Sequence, residues 1–309
     1  MAYQGRSGAI GFAEESTWGT AVSRSNWRPV ISSALQRVPS VVPRTDLHAG
    51  GPTRRSKFIE REEAGGDVSV LATYDNIGML LKAAMGSVST SGSGPYTHVY
   101  TLAQTLPSLT IENIRGTATN SEVFEGCKVT SMGLECSAGT EMVMSLGFIA
   151  ETAAARASAG TPSFAGTENV VLHHQSGQLT FNSVAYDIAG FNLSLTTGID
   201  RRDLLGSKLT KEPLRTGYAE ISLSISLEAA DALYTAVNAG TESDATITWT
   251  SGASSIAFNV QNSYIESASD PISDAGIVSQ DVVFRGLSDG SDHGLSITVV
   301  NGNSSGTAN

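Results

Sequence analysis

The chain has 309 residues, 19 Lys and Arg against 30 Asp and Glu, and a formal net charge of −11. An acidic chain with 16% charged residues lacks the basic footprint of a tight nucleic-acid binder, and 40% apolar content excludes a disordered segment. Ser, Thr and Gly together supply 102 residues, which disfavours long solvent-exposed helices and favours strands joined by turns.

Met1–Ser16 carries no apolar run ahead of a cleavage site, so no secretory leader is expected, and every apolar stretch is too short to span a bilayer. Val68, Val70 and Ala72 alternate with Ser69, Leu71 and Thr73, which predicts a strand. Asn76–Met85 follows with Ile77, Leu80, Leu81 and Ala84 at helical spacing, and Gly86 is its stop signal. Leu109 and Ile111 mark another strand. Cys127 and Cys136 lie on one predicted strand, about 30 Å apart at strand rise and beyond disulfide reach. Two reduced thiols in a chain that folds in a cytoplasm are therefore expected. Met142, Met144, Leu146 and Phe148 alternate next, and a run of Ala, Gly, Ser and Pro after them reads as a linker. Ile221, Leu223, Ile225 and Leu227 alternate with Ser. A second helix is predicted over Glu228–Asn238, from Ala230, Leu233, Tyr234 and Val237, with Gly240 beyond it. Ile256, Phe258 and Val260, then Ile297 and Val299, close the series, and the Gly/Ser/Asn-rich tail is expected to be loose.

The two strand–helix units share one phase when shifted by 153 residues, with Val68 on Ile221 and Leu80 on Leu233. Ser108–Asn113 matches Ser255–Val260, and the Asp46 region matches Arg201-Arg-Asp-Leu. The expectation is a mainly β chain of two tandem antiparallel β-sandwich or barrel domains, each with one short flanking helix. Residues 1–152 form the first, 153–167 the linker, 168–300 the second and 301–309 a flexible tail.

Charge repeats as well. Arg44, Arg54, Arg55, Lys57 and Arg61 fall in one window, and Arg201, Arg202, Lys208, Lys211 and Arg215 in another. These windows hold only four acids, Asp46, Glu60, Asp203 and Glu212, and their Gly and Pro content predicts exposed loops. An acidic body with duplicated basic loops is self-complementary, and a head-to-tail contact of that kind grows a filament when it does not close.

Reactive constellations are missing. There is no Gly-x-Ser-x-Gly elbow, no Gly-rich phosphate loop and no His-Glu-x-x-His, so no catalytic residue, metal or cofactor is expected and the chain reads as a non-enzyme. His173 and His174 point to opposite faces of a strand, and the same holds for Glu14-Glu15 and Glu62-Glu63, which read as solvated surface. Asp289–Gly294 reads as a turn, and Trp18, Trp27 and Trp249 form no cluster.

Softer motifs carry a resemblance. Glu14-Glu-Ser-Thr-Trp-Gly-Thr-Ala21, Gly66-Asp-Val-Ser-Val before Ile77–Gly86, Pro95-Tyr-Thr-His98, Phe124-Glu-Gly-Cys-Lys-Val129, Gly190-Phe-Asn-Leu-Ser-Leu195 and Arg201-Arg-Asp-Leu-Leu-Gly206 are similar to tail tube (major tail) proteins of long-tailed bacteriophages. The resemblance implies a structural virion protein that polymerises as stacked rings into the tail tube, assembled in the host cytoplasm. Inner sheets would join across subunits, and two domains per chain would give homotrimer rings with pseudo-sixfold symmetry, stacked helically. A tape-measure protein, tail terminator and distal tail proteins are the implied partners. DNA would pass through without specific binding during ejection, and no membrane is involved. Ring stacking would fall to the two loops, through Arg44, Leu47, Arg54, Arg55, Lys57 and Phe58 in the first and Arg201, Arg202, Leu204, Leu205, Lys208 and Lys211 in the second. A carbohydrate-binding or adhesive β-sandwich decoration protein of a virion is the alternative, and would want exposed aromatics on one face.

Overall fold

A computed structural model describes residues 4–46, 52–116, 120–157, 160–164, 172–173, 175, 177–271, 277–290 and 293–307. The chain is mainly β, with antiparallel strands and two short helices among the described residues. Its first half runs through β1 (Ala9–Glu14), β2 (Asn26–Arg28), β3 (Ser32–Ser33), β4 (Gln36–Pro43) and β5 (Lys57–Leu71). Then come α1 (Gly78–Met85), β6 (Gly86–Ser91), β7 (Tyr96–Leu102), β8 (Leu109–Ile114), β9 (Ser121–Ser137), β10 (Val143–Ala150) and β11 (Thr152–Ala153). The second half has β12 (Gln178–Phe181), β13 (Val184–Tyr186), β14 (Ile188–Thr196), β15 (Ile199–Arg202), β16 (Lys211–Arg215) and β17 (Glu220–Glu228). It ends with α2 (Asp231–Ala239), β18 (Glu242–Ser251), β19 (Ser254–Ser269), β20 (Ser279–Arg285) and β21 (Leu295–Asn301).

Both helices stop where the sequence says, because Gly86 (φ 99°) and Gly240 (φ 62°) adopt left-handed backbone that a Cβ would strain. Their starts are later than expected. The second is delayed because β17 keeps pairing as far as Glu228 with Ser279.

Pairing order recurs between the halves. In the first, β3 and β4 pair with β5, β5 with β10, β10 with β9, β9 with β8, β8 with β1 and β1 with β2. In the second, β14 pairs with β17, β17 with β20, β20 with β19, β19 with β18, β18 with β12 and β12 with β13. This order puts Ser255–Val260, on β19, at the place of β9 and not of Ser108–Asn113. The β6–β7 hairpin, inserted between α1 and β8, is what displaces a sequence match there.

Strands β9 and β19 are long and irregular in register, so each serves two sheets: one end pairs with β8 or β18, the other with β10 or β20. Between the layers sits a continuous core that includes Phe12, Leu80, Phe124, Leu134, Leu193, Trp249 and Phe284. Phe191 contacts both Trp249 and Phe258 at ring-centroid distances of 4.9 and 6.1 Å. Cys127 and Cys136 are buried free thiols on β9.

The tail departs from expectation. Buried His98 Nε2 lies 3.1 Å from Asn301 Oδ1 and 3.0 Å from the Asn303 carbonyl, and Tyr100 donates to the Gly306 carbonyl at 2.6 Å. Its small polar residues, which composition alone reads as loose, satisfy buried polar groups of the first half.

Candidate assembly interfaces

The halves are sewn together edge to edge. Beyond its stretch with β8, β9 accepts β14 as an antiparallel neighbour from Gly190↔Ser137 to Thr196↔Ser131. Leu134 and Leu193 face each other across this seam, both fully buried. A second seam joins β7 to β21 over Tyr96–Thr101.

Of the strand edges left open among the described residues, two correspond to the β9–β14 seam. Past Tyr264, β19 pairs with β20 on one side, while β18 has ended at Glu242 on the other. By the repeated order this is the edge that β14 fills on β9. The strand in the place of β14 is β3, which pairs only with β5 among the described residues. Unpaired strand edges of this kind are templates for another chain.

The sheet β5-β10-β9-β14-β17-β20 buries one face and exposes the other, as the period of two dictates. Small residues occupy the exposed face in cross-strand rows, one of which reads Ser69, Ser145, Gly133, Ser194, Ser222 and Arg285. Ser69 and Ser145 share a hydrogen bond of 2.9 Å. The charges on this face include Asp67, Glu135, Glu220 and Asp281, all exposed, and a groove of about 780 Å³ runs along it past Glu135, Asn192, Ser224 and Asp281.

The predicted basic loops form two arms. The first is the β4–β5 ribbon, which leaves the body where Gly65 (φ 140°) and Gly66 (φ 134°) carry β5 around a joint. A Cβ on either would lie within 2.4 Å of a backbone carbonyl, Phe148 O or Ala34 O. The second is the β15–β16 hairpin, set off from its flanking strands at Gly198 and Gly217.

Many of the cations expected to face outward are already paired. Arg44 and Arg55 share Asp46 at 2.8 and 3.0 Å, and Arg201 holds Asp203 at 2.7 Å. Lys208 is bound to Glu62, and Arg202 donates to the Glu212 carbonyl at 3.2 Å. Arg54, Lys57 and Lys211 are exposed, as are Phe58, Leu204 and Leu205, whereas Leu47 lies outside the described residues. The first arm also exposes Val38, Val41 and Ile59. Val41 pairs with Ile59 and Val42 with Phe58, so apolar side chains stand on both faces of the ribbon.

Glu62, expected on solvated surface, is instead the buried hub where the arms meet. Its Oε2 accepts Arg37 Nε and Nη2 at 3.0 and 2.7 Å, its Oε1 accepts Lys208 Nζ, and its carbonyl accepts Arg201 Nη2 at 2.6 Å. The Lys208 hydrogen bond, then those of Arg37, hold its carboxyl below the usual range against the opposing effect of burial. The available signal was parity: on a strand Glu62 shares a face with Ala64, which is buried. Lys128, buried on β9, anchors the second arm through Glu212 at 2.7 Å. Glu15 is likewise buried and structural, accepting the Gly19 and Gly126 amides at 3.0 and 2.8 Å. Among the other residues weighed, His173 bridges to Glu141, while His174, Ser291 and Asp292 lie outside the described residues.

A family model described as phage tail tube protein matches residues 5–286. The chain belongs to the phage tail tube protein family. No curated protein sequence matches it. Membership makes it a structural, self-assembling component of the virion tail. The match spans the β9–β14 seam, both arms and all of β19 and β20, while β21, and with it the second seam, lies beyond it. No helix among the described residues is long and apolar enough to cross a membrane.

Proposed function

We propose that the chain closes into homotrimer rings of pseudo-sixfold symmetry, and that the rings stack helically into the tube that conducts DNA during ejection. The observation that carries this reading is the β9–β14 seam, where one half adds its edge strand to the other. The open β19 edge of one copy and the β3 edge of the next would repeat that seam between chains, so two tandem domains per chain would take six places in the ring. The domains would be residues 1–152 and 168–300, joined by 153–167. The exposed Ser- and Gly-rich face would line the channel. Short side chains with Asp67, Glu135, Glu220 and Asp281 would dominate that face, Arg285 at its end is held by Glu266 at 2.8 Å, and like charge would keep phosphates moving. Tape-measure, terminator and distal tail proteins would be the partners, and assembly would take place in the host cytoplasm.

Stacking would fall to the arms. Apolar side chains, Phe58 and Ile59 on the first and Leu204 and Leu205 on the second, would outweigh the paired cations, since exposed ion pairs contribute only about 0.2–1 kcal/mol each. The decoration-protein alternative gains little, because Trp27 and Trp249 are buried.

Negative-stain electron microscopy of the purified protein, with the mass of solubilised rings, tests the reading. Tubes that dissociate into trimers are the expected result. Hexamers would refute the two-domain ring, and a chain that never assembles would refute the tube.

A further inference from the structure

Helices α1 and α2 hold one place in the repeated strand order, but their surroundings differ. Every residue of α1 except Lys82 is buried, whereas Leu233 alone is buried in α2. The first half itself covers α1 with β6, β7 and β9, and residues from beyond it close the start of the helix. Leu172, between the halves, donates to the Ala72 carbonyl at 3.0 Å and accepts from the Met142 amide at 2.8 Å, sealing the end of the β5–β10 pair. Asn301 and Asn303 donate to the Tyr74 and Asp75 carbonyls at 2.9 and 2.7 Å. The Gly306 carbonyl packs so closely on Gly78 that a Cβ there would lie 2.1 Å from it.

At α2 the same places stand open among the described residues. The β17–β20 pair ends with Ala229 N–H donating to the Val278 carbonyl at 3.0 Å, and no described residue caps it as Leu172 does. Ile277, next to that end, is 76% exposed, and Tyr234 is 52% exposed where its counterpart Leu81 is fully buried. The open edge of β19 adjoins this patch, because β18 starts just after α2 and leaves β19 at Tyr264.

We propose that the outward face of α2, with Tyr234 and Ile277, is a docking surface for a second copy of this chain, which supplies there what the second half supplies at α1. The proposal rests on the tube reading and adds a contact to it. The occupant follows from the internal template: the half that joins the β9 edge closes on the start of α1, and α2, which has no β6–β7 hairpin of its own beside it, is left for the half that joins the β19 edge. An aromatic ring among Ala and polar residues suits a surface that is solvated in the free chain and buried on association.

Hydrogen–deuterium exchange on free subunits and on assembled tubes tests it. Amides of Asp231–Ala239 should slow at least tenfold on assembly, while those of α1, protected already, should not change. Tyr234→Asp and Ile277→Asp should each slow tube growth at least tenfold with an unchanged Tm, and Tyr234→Phe should restore growth. Tubes in which α2 exchanges as fast as in the free subunit would overturn the proposal and leave the tube standing. A chain that forms no assembly would overturn both.

Discussion

The two arms occupy one place in the repeated strand order, carry five Lys and Arg each within their sequence windows, and end up in opposite situations. The first projects as a ribbon with apolar residues bare on both faces, and its base turns on Gly65 and Gly66. The second lies against the body, fastened by Lys208 and Arg201 to Glu62 and through Glu212 to Lys128. Basic residue count therefore does not decide which arm is free to reach outward. Where the matching acid sits decides it, and for the second arm that acid is on the first.

The largest effect on this contrast is expected at the joint. Gly65→Ala forces a Cβ to within 2.2 Å of the Phe148 carbonyl at a backbone angle that suits Gly. It should cost roughly 1–3 kcal/mol or more, read as a lower midpoint of chemical unfolding, and re-aim the first arm. The same change at Gly206, which has open space around it, should cost less, through its positive φ alone.

Glu62→Gln comes next. It should release the second arm and cost about 1.5–3 kcal/mol, because charged hydrogen bonds from Arg37 and Lys208 are lost. The pH dependence has a definite sign. Because the folded-state value is depressed, the stabilisation is complete above the ordinary carboxylate range and disappears as pH falls through the lowered value. A Glu62→Gln chain should lose that part of its acid sensitivity. An unchanged acid limb in the unfolding titration would mean the hub is not what fastens the arm.

Phe58→Ser with Ile59→Ser should leave the free chain within about 0.5 kcal/mol of the parent, since both side chains are half exposed. Tube growth, followed by light scattering, should nevertheless fall sharply if the first arm docks by its apolar faces. The smallest effect is expected from Arg54→Ser with Lys57→Ser, a modest slowing that vanishes at about 1 M salt, where the Debye length is about 3 Å. A larger loss from the charge variant than from the apolar one would reverse the ranking of the two contributions.

Much of the fold was legible because its signals are local. Alternation at Ile221–Leu227 and the glycine stops after both helices act within a few residues of themselves. The β6–β7 hairpin carries a turn signal too, Gly92-Ser-Gly-Pro95, but nothing in its own sequence says that β7 will pair with a strand about 200 residues on. The arms were found as exposed basic loops, and the pairing of their charges was not, because Glu62 with Lys208 and Arg61 with Asp203 meet only through the fold. A basic window that ends at Arg61 leaves out Glu63, which pairs with Arg61, and Glu62, which pairs with Lys208 of the second arm. The seam at β9–β14 was invisible for another reason: an edge strand and a central strand look alike when both alternate.

The two cysteines of β9 have a practical corollary. Cys127 is completely enclosed and Cys136 nearly so, and burial raises both thiols above their ordinary range, which keeps them in the unreactive protonated form. The native chain should therefore react slowly with maleimide reagents, as a thiol-labelling time course would read. A single engineered thiol such as Tyr218→Cys, at a position 95% exposed on the strand-to-arm connection, would take up dye stoichiometrically and turn each subunit into a countable optical marker.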